Sequence, residues 1–347
     1  MAKAEDGRRL RAGDGAAVHS LHLSVTDVSD RRGARGDDYD APLFIAWQLT
    51  NRCTANCLAC CEESGPARAW RDELTRDQAL ELGQRLIAAG VAYVAFGGGE
   101  PLGVSHCWEL LELLAGEGVA LKLETDGSHI DDAAAERLAR LDSLCVQISV
   151  DGATSGTHER VRPGSSFAQT IAAIERLVAR ARPPQCVFVP NRLNLHEMLP
   201  AYEQARRLGC EAFVTGPMMR IGRAAAAWDS LACDSLEWER AVLRLRERER
   251  ALGAGLRLCI YPWDIVTEME RRLQSPQAML LIVPNGAVKL LNALPFVVAD
   301  LRRDSLPGAW RAYLDGWKTQ EVRSFVGACR ARPELLRHAN ECWRLGL

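Results

Sequence analysis

Six short apolar runs, each followed by a stretch with helical spacing, limit this chain to few folds. The runs are LFIAWQL (43–49), AYVAF (92–96), VALKLE (119–124), LCVQISV (144–150), CVFVP (186–190) and EAFVT (211–215). Between them, Ala79, Leu82, Leu86 and Ala89 recur at three-to-four spacing, as do Phe167, Ile171, Ile174 and Val178. Strand and helix in alternation predict parallel strands joined by right-handed crossovers. The series is two units short of an eightfold barrel, so a partial barrel or an open sheet is expected. Binding residues then belong at the C-terminal ends of the strands.

The rhythm stops after residue 216. A charged helical stretch (235–252) leads to LRLCIY (256–261), and LLIVPNGAVKLL (280–291) reads as a hairpin around Asn285-Gly286. A helical tail carrying Cys329 and Cys342 closes the chain. Residues 1–40 are rich in Arg, Asp and Gly and are expected to be partly disordered, with SLHLSVTDV (20–28) as one edge strand. The expected division is therefore 1–40, a core over 41–223, and a smaller unit over 224–347.

A net charge of −2 argues against nucleic acid as a partner, because phosphate binding needs excess positive charge. RLRERERALGAGLR (244–257) mixes both signs and reads as a solvated helix face. No apolar run reaches the ~20 residues that span a bilayer, and the N-terminus lacks the apolar core of a signal peptide. A cytoplasmic protein with no membrane partner is expected.

In a reducing compartment a tight cysteine cluster means metal or redox chemistry rather than disulfides. RCTANCLACCEES (52–64) places four cysteines within nine residues, directly after the first strand-like run. Others, such as Cys145 and Cys186, stand singly in apolar runs and read as small buried residues of strands. Cys53, Cys57 and Cys60 form CxxxCxxC. Structural zinc wants four closed ligands, and no second CxxC is present. Three thiolates instead suit three irons of a 4Fe–4S cluster, leaving the fourth open to a non-protein ligand. Cys61 is surplus and reads as a packing residue or free thiol. FGGGEP (96–101) follows the second run, where three glycines leave backbone bare for a ligand and Glu100 adds a carboxylate.

CxxxCxxC and GGEP, in this order and one strand apart, resemble the radical S-adenosylmethionine (SAM) enzymes. Within them the chain is most similar to the SPASM/twitch-type maturases of pyrroloquinoline quinone and mycofactocin. The resemblance implies a partial (β/α)6 barrel with a smaller C-terminal α+β twitch/SPASM-like extension. It implies one 4Fe–4S cluster on Cys53, Cys57 and Cys60, with SAM on its open iron. Reductive cleavage then gives a 5′-deoxyadenosyl radical that abstracts hydrogen from a substrate.

The same resemblance sets Gly98, Gly99 and Glu100 against the methionine amino group. It puts Ser149 of QISVDG (147–152) on SAM polar groups and Arg162 of THERVRPGSSF (157–167) on the carboxylate. Thr125 of ETDG (124–127) would reach the ribose or sulfonium region, with Asp126 standing where relatives carry an amide. Ala59 replaces the aromatic that usually precedes the third cysteine. The tail keeps a SPASM-like frame in IVPNGAVKLL (282–291), VVADLRRDSLPGAW (297–310) and GAC (327–329). Leu290–Asn292 occupy a place where a ligating cysteine is expected, so no complete auxiliary cluster is predicted from Cys259, Cys329 and Cys342.

His106, His129, His158 and His196 read as capping or solvated residues, and no general acid or base is assigned. The expected substrate is a peptide or peptide-derived compound, with a flavodoxin or ferredoxin as reducing partner. A small metabolite (a sugar, cofactor precursor or tetrapyrrole) is the first alternative. A non-catalytic iron–sulfur partner is the second.

Overall fold

The computed structural model describes Gly36 and residues 39–346. The strand expected over 20–28 lies outside them, as does most of the 1–40 segment. Among the described residues no helix is long and apolar enough to cross a membrane.

All six apolar runs become parallel strands, neighbours in chain order. They are β1 (Phe44–Thr50), β2 (Tyr93–Gly98), β3 (Ala120–Thr125), β4 (Leu144–Ser149), β5 (Gln185–Phe188) and β6 (Ala212–Thr215). The later strands join the same sheet from both sides. β7 (Arg257–Ile260) adds parallel to β6, and β8 (Met279–Ile282) adds parallel to β1. Beyond β8 come β9 (Ala287–Lys289), β10 (Phe296–Asp300) and β11 (Trp343–Arg344). The order is β11-β10-β9-β8-β1-β2-β3-β4-β5-β6-β7, with β8–β9 and β9–β10 antiparallel. An α/β sheet dominated by parallel strands is what the alternation predicted.

The expected hairpin is present: Gly286, at φ +81°, closes the turn between β8 and β9. The charged stretch is a single helix, Ser235–Leu252, N-capped by Asp234. Cys329 sits on the helix Gln320–Ala331, but Cys342 is not helical as expected. Pro333 ends that helix, and Cys342 lies at φ +53° in the turn before β11.

Each strand turns alternate residues to opposite faces. Ile45, Trp47, Val94, Phe96, Leu121, Leu123, Val146 and Ile148 join the main core, which includes helix residues such as Leu82, Leu86 and Leu110. The other face holds a small apolar patch of Phe44, Ala95 and Met279. Above it the register lines up Gln48 with Gly97, then Glu124 with Gln147 and Gln185, and finally Ala212 with Arg257.

Candidate functional site

The cysteine loop leaves β1 under tight backbone control. Glu73 receives the Thr50 hydroxyl and the Asn51 N–H, both at 2.8 Å. The Ser64 hydroxyl donates to Asn51 Oδ1 at 2.8 Å, and Cys53 N donates to Gly65 O at 3.1 Å. From the far side Asn56 N reaches Pro163 O at 2.7 Å and Leu58 N reaches Val161 O at 2.9 Å. Arg223 completes the clamp, donating from Nε to Cys57 O and from Nη2 to Ser64 O, both at 2.7 Å. Its own backbone N–H meets Cys60 O at 3.0 Å. The backbone is thus anchored, and the thiols of Cys53, Cys57 and Cys60 are free and half-buried.

The glycine run interlocks with this loop. Gly99 N donates to Thr50 O at 2.7 Å and Glu100 N to Arg52 O at 2.9 Å. Gly98 has φ +110°, and a Cβ there would lie 2.5 Å from Thr50 O. A Cβ on Gly99 would lie 2.0 Å from Arg52 O. The space these glycines leave is filled by the start of the cysteine loop, not left bare as their sequence suggested. Gly99→Ala is expected to destabilise the fold by roughly 1–3 kcal/mol through this backbone clash, as urea denaturation would measure. Gly116→Ala meets nothing within 4 Å and is the matched control.

Glu100 is 2% exposed and Thr125 4%, and the structure brings them together. The Thr125 hydroxyl lies 2.8 Å from each Glu100 oxygen and accepts from Gly127 N at 3.0 Å. Glu100 also accepts from Asp126 N at 2.9 Å and Leu102 N at 3.1 Å. Burial and the neighbouring Asp126 push Glu100 up to about 8. For Asp126 burial acts in the same sense, yet hydrogen bonds from Ser128 and the charge of Arg162 hold it below its ordinary value. At neutral pH the two carboxyls therefore carry close to one charge between them. That matches the charge of a Glu beside an amide, so the acid at 126 is compensated in place.

A titration test follows from the sign of the Glu100 shift. A carboxyl whose folded value is raised binds more protons folded than unfolded, so stability falls as pH rises from the ordinary carboxylate value to about 8. Asp126→Asn removes one raising charge and is expected to flatten this fall, as denaturation at about pH 5 and about pH 8 would show.

Arg162 donates from Nη1 to Asp151 Oδ2 at 2.8 Å, with side-chain exposures of 12% and 5%. Its buried Nε has no partner among the described residues. Asp151 is fixed in turn by Val189 N at 2.7 Å. Ser149 ends β4 and is half-buried. His158 departs from the capping or solvated expectation: it is fully buried, its Nδ1 accepts from Asp151 N at 3.3 Å, and burial with Arg162 pushes it down to about 4. Asp151, Arg223 and Glu73 were not singled out by sequence reasoning. Asp151 alone carried a signal, two residues beyond Ser149 at a strand end.

The donor set fits a cluster. Burial pushes Cys53 up to about 12 and raises Cys57, while Arg162 and Arg223 pull Cys57 down. Metal-bound sulfur is deprotonated, and the two guanidiniums supply the compensating charge. Among the described residues no three His, Cys, Asp or Glu side chains converge on a single ion. A cubane instead distributes its cysteines over separate irons.

Residues 47–215 match the Radical SAM superfamily. The mycofactocin maturase MftC of Mycobacterium ulcerans is 34% identical over 195 residues, 55% of this chain and 52% of that protein. The AdoMet-dependent heme synthase of Nitratidesulfovibrio vulgaris is 26% identical over 326 residues, 83% of this chain and 87% of that protein. Streptococcus suis SuiB, solved bound to S-adenosylmethionine, shares the fold with a TM-score of 0.64 at 14% identity, over 86% of this chain and 72% of SuiB. The chain spans about half the length of the maturases it matches.

Proposed function

Because the chain carries a radical SAM domain homologous to the mycofactocin maturases, we propose that it cleaves SAM reductively and modifies a peptide. One observation carries this reading: the glycine run and the cysteine loop are hydrogen-bonded into one unit that carries the free thiols of Cys53, Cys57 and Cys60. When bound, the 4Fe–4S cluster and SAM supply electron transfer, carbon–sulfur cleavage and hydrogen abstraction.

Cys53, Cys57 and Cys60 hold the cluster. Arg162, whose charge acts on Cys57 and whose Nε has no partner among the described residues, takes the SAM carboxylate. Gly98 and Gly99 offer backbone carbonyls to the amino end, and Glu100 with Asp126 supplies the negative charge there. Ser149 reaches the SAM polar groups from the end of β4. Thr125, committed to Glu100, positions that carboxylate. A flavodoxin or ferredoxin delivers the electron.

A peptide substrate is supported by the MftC likeness. The heme synthase aligns over much more of the chain, which favours a small metabolite such as a tetrapyrrole as the second reading. Anaerobic incubation with SAM and dithionite is expected to release 5′-deoxyadenosine. A cluster-loaded protein that releases none would rule out the proposed chemistry.

Cluster content is expected to be about four irons per chain, that of one 4Fe–4S unit. Cys329 is buried in the helix-side core, Cys342 is in a turn beside β11, and Cys259 is on β7 at the opposite edge of the sheet. Alanine at 259, 329 and 342 together should leave the iron count unchanged. A parent near eight irons that drops to about four would reveal a second cluster.

A further inference from the structure

Parallel strands enclosed on both faces are normally lined by branched aliphatics. The row that starts at Gln48 departs from this. In register across β1 to β5 stand Gln48, Gly97, Glu124, Gln147 and Gln185. Phe96 pairs with Leu123, which sets Gly97 beside Glu124. No aliphatic side chain interrupts the row.

Apart from Glu124 the row is mostly enclosed, and its carboxamides are bonded within the protein, Gln48 to the side chain of Glu62. Gln48 is 8% exposed and Gln185 3%. Gln147 Nε2 donates to Gln185 Oε1 at 3.3 Å, a long bond. On the same face the buried Tyr93 hydroxyl has no partner among the described residues. Each of these carboxamides has more donor and acceptor capacity than its one recorded bond uses, and burying it costs stability that a leucine would not. The row's residue types therefore answer to something other than stability.

Glu124 is its open member. Oε1 is held by Lys122 Nζ at 2.9 Å, yet the Glu124 side chain is 48% exposed, against 9% for Lys122. A Cβ at position 97 would lie 3.0 Å from Glu124 Oε2, so the glycine gives the carboxylate its place. Gly97 adjoins Gly98, which puts the row directly beside the glycine run and its cysteine loop.

Each carboxamide offers N–H donors and a C=O acceptor. Several in one row, with a carboxylate among them, complement a ligand that itself alternates N–H and C=O. A flat, largely apolar metabolite would leave the same groups unbonded. We propose that Gln48, Glu124, Gln147 and Gln185 are the substrate-recognising surface, and that they hold an extended stretch of peptide main chain with an N–H or ammonium donor set against Glu124. This deepens, and rests on, the peptide-modifying reading.

A phage library of random linear peptides, panned on the full-length reconstituted protein, tests it. Enriched peptides are synthesised and their affinities measured by fluorescence anisotropy. Gln147→Leu/Gln185→Leu is expected to weaken binding at least ~10-fold while its melting temperature holds or rises and its iron content is unchanged. Glu124→Gln is expected to weaken it similarly. Being half-exposed, that position serves alone if the double variant does not fold. Equal affinity for parent and variants would overturn the proposal, as would a parent that enriches no peptide over bare support. A parent that binds peptide through these residues but releases no 5′-deoxyadenosine would refute the radical chemistry and leave the recognition surface standing.

Discussion

Alanine at Cys53, Cys57 or Cys60 is expected to abolish the iron–sulfur absorbance and all release of 5′-deoxyadenosine, while Cys61→Ala keeps both. Three thiolates leave one iron open, and losing any one of them removes a corner of the site. Their backbone is fixed from three directions, by Glu73, by Val161 and Pro163, and by Arg223. No neighbouring sulfur can therefore swing in to substitute. Cys61 packs against the main hydrophobic core, where burial raises its thiol well above the ordinary range. Its carbonyl is pinned by Asn340 Nδ2 at 2.9 Å. Anaerobic reconstitution followed by iron and sulfide assay gives the reading. Loss of the cluster in Cys61→Ala alone would overturn the assignment.

Arg162→Ala should have two separable effects. The first is on folding. Arg162 and Asp151 are a buried pair, and removing one partner of such a pair costs about 3–5 kcal/mol. The second is on SAM, whose affinity should fall at least ~30-fold because its carboxylate loses its partner. Arg162→Ala/Asp151→Ala tells the two apart. It should recover much of the lost stability, since no charge is left uncompensated, and recover none of the SAM affinity. Full recovery of SAM binding in the double variant would confine Arg162 to a structural role.

The parallel strands were legible because short, mostly apolar runs alternate with stretches of helical spacing. The cysteine loop was legible as a loop leaving the end of β1, and the reading of its thiols as cluster ligands rests on their spacing. What escaped was whatever depends on distant partners. Arg223 reaches back 166 residues to Cys57, and nothing in its local sequence announces that. Asp126 stood out as a departure, but its pairing with Glu100 appears only when β2 and β3 lie side by side. The glycines were recognised as special for an incomplete reason. Their first neighbour is the protein's own backbone at Thr50 and Arg52. His158 reads as a surface residue because the helix Ser155–Val161, whose buried side it occupies, is too short to show an apolar period.

The clamp on the cysteine loop also bears on how the chain matures during synthesis. The loop emerges from the ribosome early, but the groups that seat it emerge later: Gly99 and Glu100, then Val161 and Pro163, then Arg223, and last Asn340 on the Cys61 carbonyl. Nascent chains halted short of Arg223 would carry all three thiols without the guanidinium that fixes Cys57 and Ser64. Stable seating of the three thiols thus waits on segments far downstream of the thiols themselves.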